Sequence, residues 1–576
     1  MLKRQKLKVF YYLPLAVLSA VCISVTGCNQ PSGGESSPQG GSSSSENSSV
    51  VPWDTSYEDY HGSPYDIARP TYTPDYDKYE ATPSPFGFNM TYYSDVYSRG
   101  FSWLTDKTAT STELYLVKSD KGAEADFTKA KKIEGATLEI TYAKDGSFST
   151  ADGSISKASG SSNEIALNLY SHKVHVEGLE KGKAYSYKAG SEQGYTYGAF
   201  VVENDKAQSI TAIQLSDAQT KDKSKLNVWR NTFTNAVTTA GNDLDMVLYN
   251  GDQFDQNSST GSAGKPSRVL RHTKALDIIG DYKFNVPYMA SSGNHEPSVP
   301  YINYMTGDID YAGRAASGCY YSYDYDYAHF VVLNTNDVST KQINWLKEDL
   351  DQAANAKWKV VVMHIAAYST GDHTNKDANQ NIVKKLTPVF SEKHVDLVLQ
   401  AHDHTYNKTL PYKWDAAGYT ETYNNTDVVN LNPIVEKVGE ITYDKNPQGT
   451  YYVTTGAAGH RCGAPEATDG VWAEVVQDGD AWKALDSSYT FLNNKYKIEM
   501  GKIKYSNTYE AYDGKDDSKQ SFHSDQVYEV GHLATGCVNA QMFGVLNLTE
   551  TTLNYNVYTV NDSAVKLFDS LDVLKA

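Results

Sequence analysis

The pattern of apolar and polar positions changes twice along the chain. An apolar run at residues 9–25 gives way to a polar stretch, and short segments of alternating character then continue to about residue 205. From Ile210 onward, continuous apolar segments alternate with segments whose apolar residues recur every three or four positions. Alternation is typical of strands with one buried face, and spacing of three and four is typical of amphipathic helices. The pattern therefore predicts a β-rich region followed by an α/β region.

The second region, residues 206–576, contains seven strand candidates separated by predicted helices. The strand candidates lie at residues 211–215, 246–249, 286–290, 330–333, 358–363, 395–399 and 451–454. One helix candidate carries Leu226, Trp229 and Phe233 on one face. Such alternation predicts an α/β layered domain. Polar and aromatic residues interrupt the rhythm at about 407–447 and 460–539, which indicates two insertions.

Residues 53–205 are predicted to form a small β-sandwich, because their alternating segments lie between Gly, Asp and Ser turns. Residues 172–188 and Phe200 resemble the last strands of a fibronectin type III-like domain. This resemblance predicts a separate domain ahead of the α/β region.

The amino terminus has the pattern of an export signal. Lys3, Arg4, Lys6 and Lys8 precede the apolar run, which ends in Val25-Thr26-Gly27-Cys28. A transmembrane anchor is the alternative, but the run is short for a span of about 20 residues. The sequence resembles bacterial lipoproteins, which implies a signal peptide at 1–28 and lipidation of Cys28. The Ser/Gly-rich residues 29–52 then form a flexible linker, and the protein is held outside the cytoplasm at a membrane surface.

Charge and cysteine content narrow the classes of function. The 576 residues carry a net charge of −18, which argues against nucleic-acid binding because that affinity depends on clustered Lys and Arg. Of five cysteines, Cys319, Cys462 and Cys537 would remain unlipidated in the exported chain. No CxxC metal pattern is present, so we interpret these three as structural, and a disulfide between Cys462 and Cys537 remains open.

Five polar motifs occur in order, and four of them directly follow strand candidates. They are Asp217-Ala218-Gln219, Gly251-Asp252-Gln253-Phe254-Asp255, Gly293-Asn294-His295-Glu296, His364 and His402-Asp403-His404. Taken singly, Asp217 suits a helix N-cap and Gly251-Asp252 suits a turn. Taken together they indicate a single site, because α/β enzymes place functional groups at the carboxyl ends of their strands.

The joint pattern resembles the calcineurin-like metallophosphoesterases, and the domain order with the segment from His364 to His373 resembles their purple acid phosphatase branch. The resemblance implies a four-layer α/β/β/α domain holding two metal ions bridged by Asp252. It assigns Asp217 and His404 to the first ion, and Asn294, His364 and His402 to the second. Gln219 is grouped with the first ion, either as a weak ligand or as a residue that holds a water. Such mixed ligands suit divalent or trivalent Fe, Mn or Zn.

The resemblance also implies roles for residues that are not ligands. His295 would contact the substrate and protonate or stabilise the leaving group, and His373 would help to bind phosphate. Glu296 and Tyr406 are expected to orient ligating imidazoles. His460, which follows the turn at residues 455–459, could also reach the pocket, but a surface position is expected.

Two positions depart from the family pattern. The tyrosinate that colours purple acid phosphatases would come three residues after the bridging aspartate, where this chain has Asp255, so we expect no purple colour. The wider family has a histidine two residues after the first aspartate, where this chain has Gln219. The first ion is therefore expected to be held more loosely, to be a harder ion such as Mn²⁺ or Mg²⁺, or to bind only when substrate arrives.

The predicted function is hydrolysis of phosphoric esters by a metal-activated water, outside the cytoplasm, with phosphomonoesters as the main substrates. A phosphodiesterase or nucleotidase with the same site is one alternative. A surface-binding lipoprotein with a degenerate phosphatase domain is another, although six of the seven expected ligand positions are retained.

Overall fold

The computed structural model describes residues 67, 73–142, 147–149, 155–157, 168–202, 209–255, 268–283, 285–296, 320–369, 377–414, 426–428, 434–460, 475–478, 481–484, 528–530, 533–536, 540–561 and 564–576. The predicted signal peptide and linker lie outside these residues, as do His373 and all five cysteines. None of the helices within the described ranges is both long and apolar enough to cross a membrane.

The first part of the described chain forms two antiparallel sheets. Its strands are β1 (Phe86–Thr91), β2 (Arg99–Asp106), β3 (Glu113–Lys118), β4 (Lys131–Glu134), β5 (Ala136–Tyr142), β6 (Ser147–Ser149), β7 (Ile155–Lys157), β8 (Asn168–Val176), β9 (Ala184–Ser191) and β10 (Gly194–Val201). One sheet has the order β1-β2-β8-β5-β6-β7 and the other has the order β10-β9-β3-β4. Phe88, Trp103 and Tyr187 belong to one apolar core to which both sheets contribute. The fibronectin type III-like assignment stays a prediction.

The remaining strands belong mainly to two larger sheets. They are β11 (Ile210–Leu215), β12 (Leu244–Tyr249), β13 (Tyr288–Ala290), β14 (Tyr321–Tyr325), β15 (Ala328–Val332), β16 (Trp358–Ile365), β17 (Leu397–Ala401), β18 (Tyr406–Thr409), β19 (Tyr412–Trp414), β20 (Thr426–Val428), β21 (Val435–Val438), β22 (Ile441–Lys445), β23 (Tyr451–Thr455), β24 (Val475–Asp478), β25 (Ala481–Ala484), β26 (Tyr528–Val530), β27 (Leu533–Gly536), β28 (Gln541–Leu548), β29 (Thr552–Asn561) and β30 (Ala564–Leu574).

The first large sheet has the order β13-β12-β11-β28-β29-β30-β22-β21, and the second has the order β14-β15-β16-β17-β23-β18-β27-β26. Strands β11, β12 and β13 are parallel to one another, as are β15, β16, β17 and β23. Both sheets also contain antiparallel pairs. The carboxyl ends of the parallel strands in each sheet therefore meet at one edge.

Helices cover the outer faces of the two sheets. They are α1 (Lys223–Ala240), α2 (Arg268–Asp277), α3 (Gly280–Lys283), α4 (Thr340–Gln352), α5 (Asp377–Lys385) and α6 (Thr387–Glu392). One apolar core lies between the two sheets and includes Leu248 and Val362. A second core lies between the first sheet and helices α1 and α2, and a third lies between the second sheet and helices α4, α5 and α6. The layers thus run helix, sheet, sheet, helix. Strand β16 is buried along its whole length, as expected for a parallel strand covered on both faces.

The first part of the chain also contacts the α/β region directly. The backbone N–H of Gly87 in β1 donates a hydrogen bond to Asp277 at the end of α2, over 2.8 Å. The Tyr92 hydroxyl donates to the backbone oxygen of Asp245, and its ring stacks on Tyr323. The first contact holds the end of α2, and the contacts of Tyr92 join the first part of the chain to β12 and β14.

The predicted insertion at 407–447 differs from the structure in one respect. Parts of it continue the large sheets, because β18 pairs with β23 and β22 pairs with β30. Its polar character reflects strands near sheet edges, where one side faces water. Within the second insertion, only short strands and the segment's first residue, His460, are among the described residues.

Candidate metal centre

The five predicted motifs meet where the parallel strands of both sheets end. The loops after β11, β12 and β13 carry Asp217, Asp252 and Asn294. In the second sheet, His364 is the penultimate residue of β16, and His402 and His404 follow β17. All five motifs therefore lie at the carboxyl ends of parallel strands, as their positions after strand candidates predicted.

Asp252 lies at the centre of the cluster and is almost fully buried. Its Oδ2 atom is 3.4 Å from His364 Nε2 and 3.7 Å from His295 Nε2. Ligand atoms of Asp252, His364 and His402 all lie within 4.8 Å of one another. The Gln219 side chain reaches the same carboxylate from the other direction, with Nε2 3.4 Å from Oδ2. The Asp252 carboxylate thus approaches side chains from both groups of candidate ligands.

The first group is centred on Asp217, which has no exposed surface. His404 Nε2 lies 3.4 Å from Asp217 Oδ1, and the backbone N–H of His402 donates to Oδ2 over 3.3 Å. Gln219 presents its amide nitrogen, rather than its amide oxygen, to Asp252. The first group therefore offers one carboxylate and one imidazole as strong donors.

The second group is held more firmly. His364 Nδ1 donates to the backbone oxygen of Asn250 over 2.7 Å, since a carbonyl can only accept. This bond directs His364 Nε2 toward Asn294 Oδ1, 2.9 Å away. The Asn250 side chain in turn donates to the backbone oxygens of Met363 and Leu399, which ties the first sheet to the second. Sequence reasoning missed Asn250. Its position between the end of β12 and Gly251-Asp252 could have indicated that it lies at the site.

The two buried groups influence each other's ionisation. Burial opposes the charged form of Asp252, but the positive charges of His364 and His295 hold the pKa of its carboxyl well below the ordinary value. Burial likewise opposes charge on His364, yet the Asp252 carboxylate raises the pKa of that imidazole to about 9. Asp252 is therefore a carboxylate at neutral pH, the form that a cation requires.

The arrangement of the donor atoms suits metal coordination better than hydrogen bonding among the side chains. Asp217 Oδ1 and Gln219 Oε1 are buried and accept no hydrogen bond from any described residue. Such orphaned oxygens are costly unless something satisfies them. Two atoms that each lie ~2.1 Å from one ion are roughly 3 to 3.5 Å apart, and the carboxylate–imidazole separations of 3.4 Å have this length. The residues present therefore fit cations with oxygen and imidazole ligands.

Four ligand candidates have a strained backbone. Among the described residues, φ is positive at only seven non-glycine positions, and four of these are Asp217, Gln219, Asp252 and His402. This conformation is unfavourable for residues with a side chain and persists where surrounding bonds impose it. Here the backbone N–H groups of Asp217 and Gln219 donate to the backbone oxygens of Gly251 and Asp252, both over 3.0 Å. The two loops thus hold each other in position.

Glu296 acts on the Asp252 loop instead of on an imidazole ligand. Its buried carboxylate accepts hydrogen bonds from the backbone N–H groups of Asp252, Gln253 and Gly293, at 2.9, 2.9 and 2.6 Å. His272 of α2 approaches the same carboxylate from the core, with Nε2 3.4 Å from Oε1. Gly293 is required here, because a Cβ would lie 2.1 Å from Asp252 Oδ1. Sequence reasoning missed His272, since a lone histidine in a helix gives no signal.

His295 lies between two carboxylates. Its Nε2 atom is 3.7 Å from Asp252 and its Nδ1 atom is 3.9 Å from Asp255, while its backbone N–H donates to Asp252 Oδ1 over 2.9 Å. Asp255 is also 3.7 Å from Lys221 Nζ. The imidazole keeps some exposure to solvent, as a group that meets substrate must.

Besides the expectation for Glu296, two others from the sequence were wrong. Tyr406 is buried between the sheets and donates its hydroxyl to Asp569 over 2.6 Å, because it lies in β18 rather than in the loop after β17. His460 is only 7% exposed, so it is not a surface histidine. The contribution of His373 to phosphate binding stays a prediction.

Comparison with known proteins agrees with this geometry. Residues 211–406 match the family model for calcineurin-like phosphoesterases, and all seven candidate ligands fall within them. This segment is a calcineurin-like phosphoesterase domain. The chain is 26% identical over 324 residues to acid phosphatase type 7 of mouse and also to that of human, covering 51% of this chain and 65% of each relative. The matched part thus spans slightly less than two thirds of these relatives.

The fold of the phosphoesterase domain also has a counterpart among solved structures. A purple acid phosphatase from yellow lupin (Lupinus luteus) seeds superposes with a TM-score of 0.51 at 14% identity, covering 85% of this chain and 74% of that one. The likeness shows a metallophosphoesterase-like fold with mixed α/β sheets. The layered α/β metallophosphoesterase-like domain predicted from the sequence is therefore confirmed.

Proposed function

We propose that this protein is a metal-dependent phosphoric ester hydrolase that binds two ions on either side of Asp252. The observation that carries the proposal is the position of this one ionised carboxylate between two groups of buried oxygen and imidazole donors. Asp217 and His404 would hold the first ion, and Asn294, His364 and His402 the second. The similarity to acid phosphatases supports the reaction class.

Two ions bound in this way supply positive charge to phosphate oxygens and lower the pKa of an attacking water. The chain's own residues prepare the site for them. Asn250 fixes the ring of His364, and Glu296 fixes the backbone of Asp252. His295 is close to Asp252, and its imidazole is placed to hold a proton for the departing oxygen of the ester.

We further propose that the preferred substrates are phosphomonoesters and that the enzyme acts outside the cytoplasm. The acid phosphatase relatives support the substrate class, and the lipoprotein-like sequence that ends at Cys28 supports export and a membrane-surface anchor. The net charge of −18 is unfavourable for anions at long range. Attraction of phosphate would therefore come from local positive charge, such as that of the bound ions.

Hydrolysis of chromogenic esters tests this function. The purified protein is stripped with a chelator, and Mn²⁺, Zn²⁺ or Fe²⁺ is then restored before p-nitrophenyl phosphate and bis(p-nitrophenyl) phosphate are offered. We expect turnover of the monoester that disappears on chelation and returns with metal. Faster turnover of the diester would favour the phosphodiesterase alternative. No turnover with any metal, and no bound metal by elemental analysis, would leave only the binding-protein alternative.

A further inference from the structure

The loop that follows β23 lies directly against the loop that carries Asp217. The backbone N–H of Ala458 donates to the backbone oxygen of Ser216 over 2.8 Å, and the Ser216 hydroxyl donates to the backbone oxygen of Gly456 over 2.9 Å. Gly459 then makes the closest approach, since a Cβ there would lie 2.1 Å from the Ala218 oxygen and 2.7 Å from the Asp217 oxygen. Only glycine allows the two backbones to lie this close.

His460 is the next residue in this loop. Ala458 is bonded to Ser216, and Gly459 packs against the backbone of Asp217 and Ala218, so the residue before His460 lies against the loop that carries Asp217 and Gln219. Strand β23 is parallel to β17, so its carboxyl end lies at the sheet edge where His402 and His404 emerge. The His460 side chain is 7% exposed. A buried histidine therefore directly follows the residue that packs against the loop of the first group of candidate ligands.

That group has the poorer set of donors. The second group contains two imidazoles and an amide oxygen, whereas the first contains Asp217, a single imidazole and a glutamine that turns its nitrogen toward Asp252. Two buried oxygens, Asp217 Oδ1 and Gln219 Oε1, accept no hydrogen bond from the described residues. A neutral imidazole is a strong ligand for the borderline metals that suit this site.

We propose that His460 is a further ligand of the first ion, on the side of Asp217 and His404. The inference rests on the proposed two-ion function and adds a residue outside the matched phosphoesterase segment, which ends at residue 406. It means that the loop after β23 is part of the active site. It also means that Gln219 need not bind the ion itself.

Metal content provides a test that does not depend on turnover. The wild-type protein, His460→Ala and the matched control His175→Ala are stripped, reloaded with Mn²⁺ and assayed by elemental analysis and by calorimetric titration. His175 is an exposed histidine in β8, in the first part of the chain. We expect two ions in the wild type and the control. In His460→Ala we expect one tightly bound ion and at least ~10-fold weaker binding of the other.

The outcomes separate this inference from the function on which it rests. A His460→Ala protein that binds two Mn²⁺ ions with wild-type affinity would overturn the ligand role. Normal metal content with a reduced kcat would also overturn it and would make His460 a substrate contact. If the alanine variant does not fold, His460→Gln, which keeps the bulk, is judged by the same titration. A wild-type protein without bound metal would contradict the proposed function itself.

Discussion

Histidines and carboxylates cluster at both ends of the parallel strands in the second sheet, and the two clusters differ in geometry. At the amino end, near the start of β15, His329 Nδ1 lies 2.7 Å from Asp324 and Nε2 lies 2.9 Å from Asp349. At the carboxyl end, His404 and His364 lie 3.4 Å from Asp217 and Asp252. The amino-end distances are those of charge-assisted hydrogen bonds, and the carboxyl-end distances are longer.

The difference distinguishes an ion pair from a metal site. Both ring nitrogens of His329 donate to carboxylates, so neither has a lone pair for a cation. At the carboxyl end, Asp217 Oδ1 accepts no hydrogen bond within the described part of the chain, although it is buried. The same residue types occur in both clusters, but burial differs, since Asp324 is largely exposed whereas Asp217 and Asp252 are buried. The clusters also differ in whether their polar atoms already satisfy one another.

Asp252→Asn should have the largest effect, because it removes the one charge shared by both groups of ligands. We expect loss of both ions and a fall in monoester hydrolysis of about 10³-fold or more, since several kcal/mol of charge stabilisation would disappear. Elemental analysis and a p-nitrophenyl phosphate assay measure the two effects. Asp324→Asn, at the amino end, is the matched control and should keep its metal and its activity. If Asp252→Asn kept most of its activity, Asp252 would not bridge two ions.

His295→Ala should slow catalysis without removing metal. The backbone N–H of residue 295, which the substitution preserves, makes the hydrogen bond to Asp252 Oδ1. We expect both ions to remain and kcat for an alkyl phosphate to fall about 10²- to 10⁴-fold. Hydrolysis of p-nitrophenyl phosphate should fall less, because nitrophenolate leaves without a proton. An equal loss for the two substrates would exclude protonation of the leaving group by His295.

More of the candidate ligands could be predicted from the sequence than of the contacts that hold them in place. Apolar segments followed by Asp217, Gly251-Asp252 and the 402–404 motif identify strand ends, and parallel strands must bring those ends together. Strand boundaries were less accurate. For example, the strand predicted at 286–290 begins at Tyr288 in the structure.

The supporting contacts depend on pairs that are distant along the chain. Asn250 bonds to Met363 and Leu399, and Glu296 bonds to Asp252, over separations that no local pattern records. His460 was expected at the surface rather than in the pocket. It is buried because Gly459 allows its loop to lie against Asp217, a tertiary contact between residues more than 200 positions apart.

The smallest expected effect concerns the amino-end cluster and is an effect on stability. Burial opposes charge on His329, but its hydrogen bonds to Asp324 and Asp349 raise the pKa of the imidazole from 6.5 to about 9. A pKa raised in the folded state stabilises the protein fully below the unfolded value, and this contribution is lost as the pH rises through about 9. We estimate the contribution at about 2 kcal/mol, below the full value of the shift because Asp324 is largely exposed.

His329→Gln should therefore lower the free energy of unfolding by about 2 kcal/mol at pH 6 and by much less at pH 10, where wild-type His329 is mostly neutral. Urea unfolding of both proteins at the two pH values measures the difference, and pH effects from other groups cancel in the comparison. Metal content should not change, because the cluster has no role at the carboxyl end. An equal destabilisation at both pH values would mean that His329 acts through packing rather than through its charge. In that case the amino-end cluster would not be the ion pair that its distances indicate.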